Sequence, residues 1–203
     1  MKTQFFKLFT IALAISLISC KKNNTLSEYK FTDKGVVINC ENVNPKLYSE
    51  AICSFENDIL SFYGKNNPNA SLIQAYNQFI RNSISNRVKL EDIASSHTAK
   101  IFEALKNEND LWDATNPNSH LNYNSNFFNC ITNNIQNKNL KTTLKALIST
   151  NSMSPKLFGA PLITNYNQAL RDKYLSAYMA FDLFYAKLFD VDLSKVTFTF
   201  QDS

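Results

Sequence analysis

From Asn44 onward, apolar residues recur every three or four positions in stretches separated by short breaks rich in Asn, Pro, Gly and Ser. Tyr48, Ile52, Phe55, Ile59 and Phe62 share one face of a predicted helix that Asn44 caps and Pro45 opens. Gly64 stands where a left-handed cap would end it. A second helix opens at Asn67-Pro68, turns Leu72, Tyr76, Phe79 and Ile80 inward, and runs to about Asn86. Leu90, Ile93, His97, Ile101 and Leu105 predict a third over Leu90 to Lys106. The stretch Asn109 to Asn124 breaks the pattern, and a connection of that length is either functional or loosely ordered. Two shorter helices follow, Ser125 to Gln136 and Lys138 to Ser149, before Ser154-Pro155 and Ala160-Pro161 punctuate the chain. The longest predicted helix spans Asn165 to Phe189. It is apolar nearly all round, with Tyr174, Tyr178 and Phe181 on its main stripe and Leu175, Met179 and Leu183 on other sides, which is the pattern of a central helix.

Strand character is confined to the two ends. Glu28 to Thr32 and Val36 to Cys40 flank Asp33-Lys34-Gly35, a connection whose glycine suits the positive φ of a hairpin bulge. Val196 to Phe200 alternates strictly between apolar residues and threonine. An isolated two-stranded hairpin is marginal in water, so the third strand is expected to pair with it. The predicted fold is therefore mainly α, a helical bundle of about six helices with a small antiparallel β-sheet from the N-terminal hairpin and the C-terminal strand. It is expected as a single domain over residues 28–203, with no internal repeat.

The beginning of the chain reads differently. Lys2 and Lys7 precede an apolar run from Leu8 to Ile18 that closes on Leu17-Ile18-Ser19-Cys20. A membrane span takes roughly 20 apolar residues, so this run is short for one and suits the core of a secretory signal. It resembles the signal peptides of the bacterial lipoprotein class, in which a branched apolar residue three places before the cysteine and a small residue just before it admit the processing enzyme. The resemblance covers these twenty residues. It implies removal of residues 1–19, acylation of Cys20 as the first mature residue, and residues 20–27 as a lipidated tether. It also implies a cell-envelope location, with the membrane as partner through the lipid. Lys21 stands where an aspartate retains lipoproteins in the inner membrane of some bacteria, which favours the outer membrane, facing the periplasm.

Charge and cysteines refine this. The chain has 21 Lys and Arg against 17 Asp and Glu. Without Lys2 and Lys7 the excess is about +2, too small and too dispersed for nucleic acid, which needs a concentrated basic face. With Cys20 acylated, Cys40, Cys53 and Cys130 remain, in a compartment where disulfides persist. A Cys40–Cys53 bridge would close a short loop, worth about 3 kcal/mol on the chain-entropy estimate; three buried thiols are the alternative. No Cys-x-x-Cys pair or nearby histidine marks a metal site, and no cofactor is implied.

The search for catalytic motifs excludes several classes. With glycine only at Gly35, Gly64 and Gly159, no phosphate-cradling loop exists. There is no His-Glu-x-x-His, Gly-x-Ser-x-Gly or EF-hand pattern either. His97 lies on an apolar stripe and reads as a hydrogen-bonded core residue. His120, in the irregular stretch with Asp113 and Trp112, is the better site residue, because a carboxylate can orient an imidazole for proton transfer. Asp182 is a carboxylate on an apolar helix; buried, it needs a partner or a raised pKa. Aromatic residues make up 13% of the chain; the spacing of most assigns them to the core, while Trp112 and Tyr123 have the chemistry to stack on a glycan or line a peptide groove. Two readings stand. One is a non-catalytic, lipid-anchored envelope module that binds or scaffolds a protein or glycan partner. The other is an envelope hydrolase or transferase using His120 with Asp113, or Asp182.

Overall fold

A computed structural model describes residues 25–196, and over them the chain is mainly helical, as the periodicity predicts. The helices are α1 (Pro45–Gly64), α2 (Leu72–Ile84), α3 (Leu90–Ile93), α4 (Ser96–Leu105), α5 (Asn126–Asn134), α6 (Lys138–Ser149), α7 (Pro155–Asn165) and α8 (Lys173–Leu183). α1 packs on α2, α4 and α8, while α5 also lies on α8 and α2 meets α7. Every residue of α8 from Leu175 to Leu183 is buried, which makes it the central helix its all-round apolar pattern requires. Around it, Tyr48, Phe127 and Phe181 stack or meet edge to face at 4.6–5.1 Å, and Phe55 meets Phe79 at 5.0 Å. Each such pair adds roughly 0.5–1.5 kcal/mol beyond its buried area. No helix among the described residues is long and apolar enough to cross a membrane.

Local caps explain where the helices start. Asn44 accepts from the Leu47 N–H and Pro45 occupies the first turn of α1, as predicted. The helix ends at Gly64, but not with a left-handed cap: Lys65 remains right-handed, and Gly64 is small because a Cβ there would sit 2.9 Å from the Ala70 Cβ. α2 starts four residues later than Asn67-Pro68, because Ser71 and Gln74 form a reciprocal capping box. The predicted third helix is two. Ala94 is extended and Ser95 caps α4, its own N–H donating to Asp58 Oδ2 at 2.9 Å, so the chain breaks there while the predicted apolar face stays buried.

The long C-terminal helix is likewise in pieces. α7 runs through Pro161, where punctuation is expected. Pro161 gives no N–H to the Leu157 carbonyl, but Leu157 lies on the exposed side, where water serves. A 3-10 stretch, Tyr166–Leu170, follows. Asp172 then breaks the helix in an extended conformation, its carboxylate accepting from the N–H groups of Tyr174, Leu175 and Gln136. Charge-assisted bonds from two directions more than replace the helical bond lost at the break. Beyond α8 the chain tightens into a second 3-10 stretch, Tyr185–Asp190, which buries Tyr185, Ala186 and Leu188.

The predicted sheet is not formed among the described residues. Glu28 to Thr32 and Val36 to Cys40 make no ladder; between them Thr32–Lys34 is a 3-10 turn, and Gly35 takes the predicted positive φ of 67°. Side chains of α1 satisfy the backbone instead: Lys30 and Phe31 donate to Glu50, and Val37 donates to Ser49 Oγ at 3.0 Å. Of the predicted C-terminal strand, Val196 is buried after a 3-10 turn, and residues 197–200 lie outside the described residues, as do residues 1–24 with the predicted signal and Cys20.

The disulfide expectation also changes. Cys40 pairs with Cys130 on α5, with 5.8 Å between Cα atoms and a sequence separation of 90, because the N-terminal segment crosses toward α5. Among the described residues Cys53 is the free cysteine, buried on α1; burial pushes its thiol up to about 11.

Candidate functional site

The irregular stretch between α4 and α5 is ordered by its own polar side chains. Asp113, Asn116 and Asn122 each accept from the N–H two residues on, giving three successive side-chain turns. Trp112 forms one antiparallel bridge with Leu121 and donates its indole N–H to the Leu105 carbonyl at 2.8 Å. The stretch thereby carries Asn116, Asn118, Ser119 and His120 against the C-terminal end of α8 and the 3-10 turn after it. Between them lies a cleft of about 360 Å³, whose other polar walls include Asn86, Glu91, Lys187 and Asp190.

Asp182 lines the floor of that cleft and is fully buried. Its Oδ1 accepts from the Ser119 hydroxyl at 2.7 Å and from the Tyr123 hydroxyl at 3.0 Å. The Tyr178 hydroxyl is buried beside the same carboxyl without reaching hydrogen-bond geometry, and Oδ2 has no partner among the described residues. Burial raises the Asp182 pKa, and the Ser119, Tyr178 and Tyr123 hydroxyls only partly offset this. The same carboxyl, after burial itself, pushes the Tyr123 and Tyr178 phenols up. With two hydroxyls on Oδ1, a proton on this group belongs on Oδ2.

His120 and Asp113 do not meet through their side chains. The Asp113 N–H donates to the His120 carbonyl at 2.7 Å, while the Asp113 carboxylate turns to Thr115, whose hydroxyl and N–H hold it below the usual carboxylate range. The carboxylate facing His120 Nε2, at 3.3 Å, is the exposed Asp190. Ser119 gives its hydrogen to Asp182 rather than to its neighbour His120, so no serine–histidine–carboxylate chain is assembled. Outside the cleft lining, Phe189 is 37% exposed and packs against His120 at 4.7 Å and Trp112 at 5.1 Å. Tyr123 lines a second, smaller cleft of about 250 Å³ across the same loop.

His97 is the buried core residue its position predicts, with Nε2 2.6 Å from Glu50 Oε1. Among the described residues no cluster of three or more His, Cys, Asp and Glu is disposed to hold a metal ion. Of the sequence-derived residues, His120 and Asp182 reach the cleft, Trp112 supports its rim and Asp113 braces the loop. Ser119, Lys187 and Asp190 were missed; hydroxyl and carboxylate side chains at loop and helix ends are too common to signal a site. Comparison with protein-family models, with curated proteins and with solved structures returns no match for this chain.

Proposed function

We propose that this protein is a cell-envelope lipoprotein, anchored through acylated Cys20 to the outer membrane and facing the periplasm, and that its helical domain is a non-catalytic binding module. Its ligand site is the cleft over Asp182. The observation that carries the binding reading is the polar cleft of about 360 Å³ in which Asn116, Asn118 and His120 of the loop face Glu91, Lys187 and Asp190, because concave sites with converging polar groups are where small ligands bind. The Cys40–Cys130 bridge supports export, because such a bond persists outside the reducing cytoplasm. The separate engagement of Ser119 and His120 favours binding over hydrolysis or transfer.

Two measurements test this reading. Metabolic labelling with a fatty-acid analogue marks the wild-type chain and leaves Cys20→Ser unlabelled; label persisting in the variant removes the anchor. Solubilised envelope fractions raise the melting temperature of the acylated full chain but not that of His120→Ala, which alters a half-exposed wall of the cleft. Equal shifts in both, or none, remove the cleft from the proposal.

A further inference from the structure

The charged walls of the cleft narrow the class of ligand. Glu91, in the first turn of α3, and Lys187, in the 3-10 stretch after α8, both line it and both are half-buried. Among the described residues neither side chain forms an ion pair or a hydrogen bond, although the two opposite charges share one small cavity. The comparably buried Lys173 behaves otherwise, its Nζ meeting Glu56 Oε1 at 2.6 Å. Lys187 stands close enough to the floor of the cleft for its charge to pull the Asp182 pKa down against the effect of burial. Asp182 is no ion-pair partner for it, being wholly buried with Oδ1 taken by Ser119 and Tyr123.

A ligand of one sign meets a repelling wall. A phosphate or polyanionic chain faces Glu91 and Asp190, and a polyamine faces Lys187. A neutral or fatty ligand strips water from both half-buried charges and returns no opposite charge. A molecule that carries an anion and a cation satisfies both. The second carboxylate of the wall, Asp190, is largely exposed and already faces His120 Nε2 at 3.3 Å, so Glu91 is the acceptor left for a ligand cation and Lys187 the donor left for a ligand anion. The volume, about 360 Å³, is at the small end of the range for compact ligands, which restricts the molecule to a single residue or two.

We infer that the cleft binds a small zwitterion, a free amino acid or a dipeptide, with its carboxylate on Lys187 and its ammonium on Glu91. This inference rests on the binding reading above and names its ligand class. The acylated full chain in a non-ionic detergent is titrated by calorimetry with the common L-amino acids and with the dipeptides Gly-Gly, Ala-Ala, Ala-Gln and Ala-Lys. At least one of them binds saturably, and whether it is a free amino acid or a dipeptide tells the two sources apart. Its N-acetyl form, which lacks the ammonium, and its C-terminal amide, which lacks the carboxylate, each bind about tenfold more weakly. Lys187→Gln and Glu91→Gln, at half-exposed positions where the melting temperature of the free chain is retained, each weaken the parent zwitterion about tenfold. The two series also cross: Lys187→Gln no longer distinguishes the zwitterion from its amide, and Glu91→Gln no longer distinguishes it from its acetylated form, a pattern that a merely structural role does not produce. Equal binding of blocked and unblocked forms, or binding undiminished in either variant, overturns the inference. So does silence of every amino acid and dipeptide while envelope fractions still shift the wild-type chain and not His120→Ala, although the binding module itself then survives. Silence in both assays removes both.

Discussion

Two irregular segments cross the helices of this protein, and they are fastened in opposite ways. Residues 25–43 are held from beneath by Glu50, whose carboxylate takes the Lys30 and Phe31 N–H groups and His97, and by the covalent Cys40–Cys130 bond. Where residues 39–42 of the segment meet α5 a cleft of about 320 Å³ remains, and the Cys40–Cys130 bond itself lies in its wall. The stretch between α4 and α5 is held mostly by its own Asx turns and by Asp110, which accepts from the Asn126 N–H, and where it meets α8 it leaves a cleft. The buried carboxylates repeat the contrast. Glu50, Asp58 and Asp172 accept backbone N–H groups from the starts or flanks of other elements, whereas Asp182 is bound by side-chain hydroxyls and has one buried oxygen without a hydrogen-bond partner among the described residues. Carboxylates that brace the fold are spent on the backbone; the one below the cleft is not.

The largest effect is expected at the covalent end of this contrast. Replacing Cys40 and Cys130 together by alanine releases a loop of 90 residues, worth about 4–5 kcal/mol on the chain-entropy estimate. Urea unfolding with and without reductant measures this; a change under 1 kcal/mol would mean that the segment needs no bridge. Glu50→Ala comes next, at about 3–4 kcal/mol, since it strands two backbone donors and His97 in a dry site. Faster hydrogen exchange at the Lys30 and Phe31 amides identifies the cause.

Asp58 gives a pH signature on the bracing side. Burial raises its pKa from 3.8 to about 6, with the Ser95 N–H opposing the shift. Between those values the folded chain keeps a proton that the unfolded chain has released. Stability contributed by this group is therefore full below about pH 4, falls as pH rises, and levels off above about pH 6, by an amount on the order of 2–3 kcal/mol. Asp58→Asn should remove that slope from a series of melts between pH 3.5 and 7 (about that range spans both limits). An unchanged slope assigns it to other groups.

The smallest stability effect belongs to Asp182→Asn. An amide oxygen still accepts from Ser119 and Tyr123, and the cost of burying a charge disappears, so stability at neutral pH changes by less than about 1 kcal/mol. A loss comparable to that of Glu50→Ala would make Asp182 another brace and erase the contrast.

Much of the scaffold was legible in the residue pattern. Asn44-Pro45 marked the start of α1, the limits of α6 fell on Lys138–Ser149 as read, and the stripe from Leu90 to Leu105 is buried even though the backbone breaks between Ile93 and Ser96. Asp182 was visible as a carboxylate out of place on an apolar helix. Its partners were not visible, nor was Asp190, because a loop hydroxyl and an exposed aspartate carry no periodic signature. The hairpin was misread for a related reason: alternation indicates an extended chain but not which groups receive its N–H donors, and α1 side chains took that role.

The sequence by itself determined where α1, α2, α5 and α6 lie, the faces they bury and the central place of α8, because caps and amphipathic stripes act over three or four residues; it did not show α7 or the breaks at Ala94 and Asp172. Tertiary structure decided what depends on atoms far apart in the chain. It joined Cys40 to Cys130 across 90 residues, gave His120 the Asp190 carboxylate 70 residues away, and brought Ser119 to Asp182 across 63. It also broke the helix at Asp172, where a carboxylate could collect the N–H of Gln136 from another element. Residue spacing encodes the local preferences; only the packed chain sets which distant donor finds which acceptor.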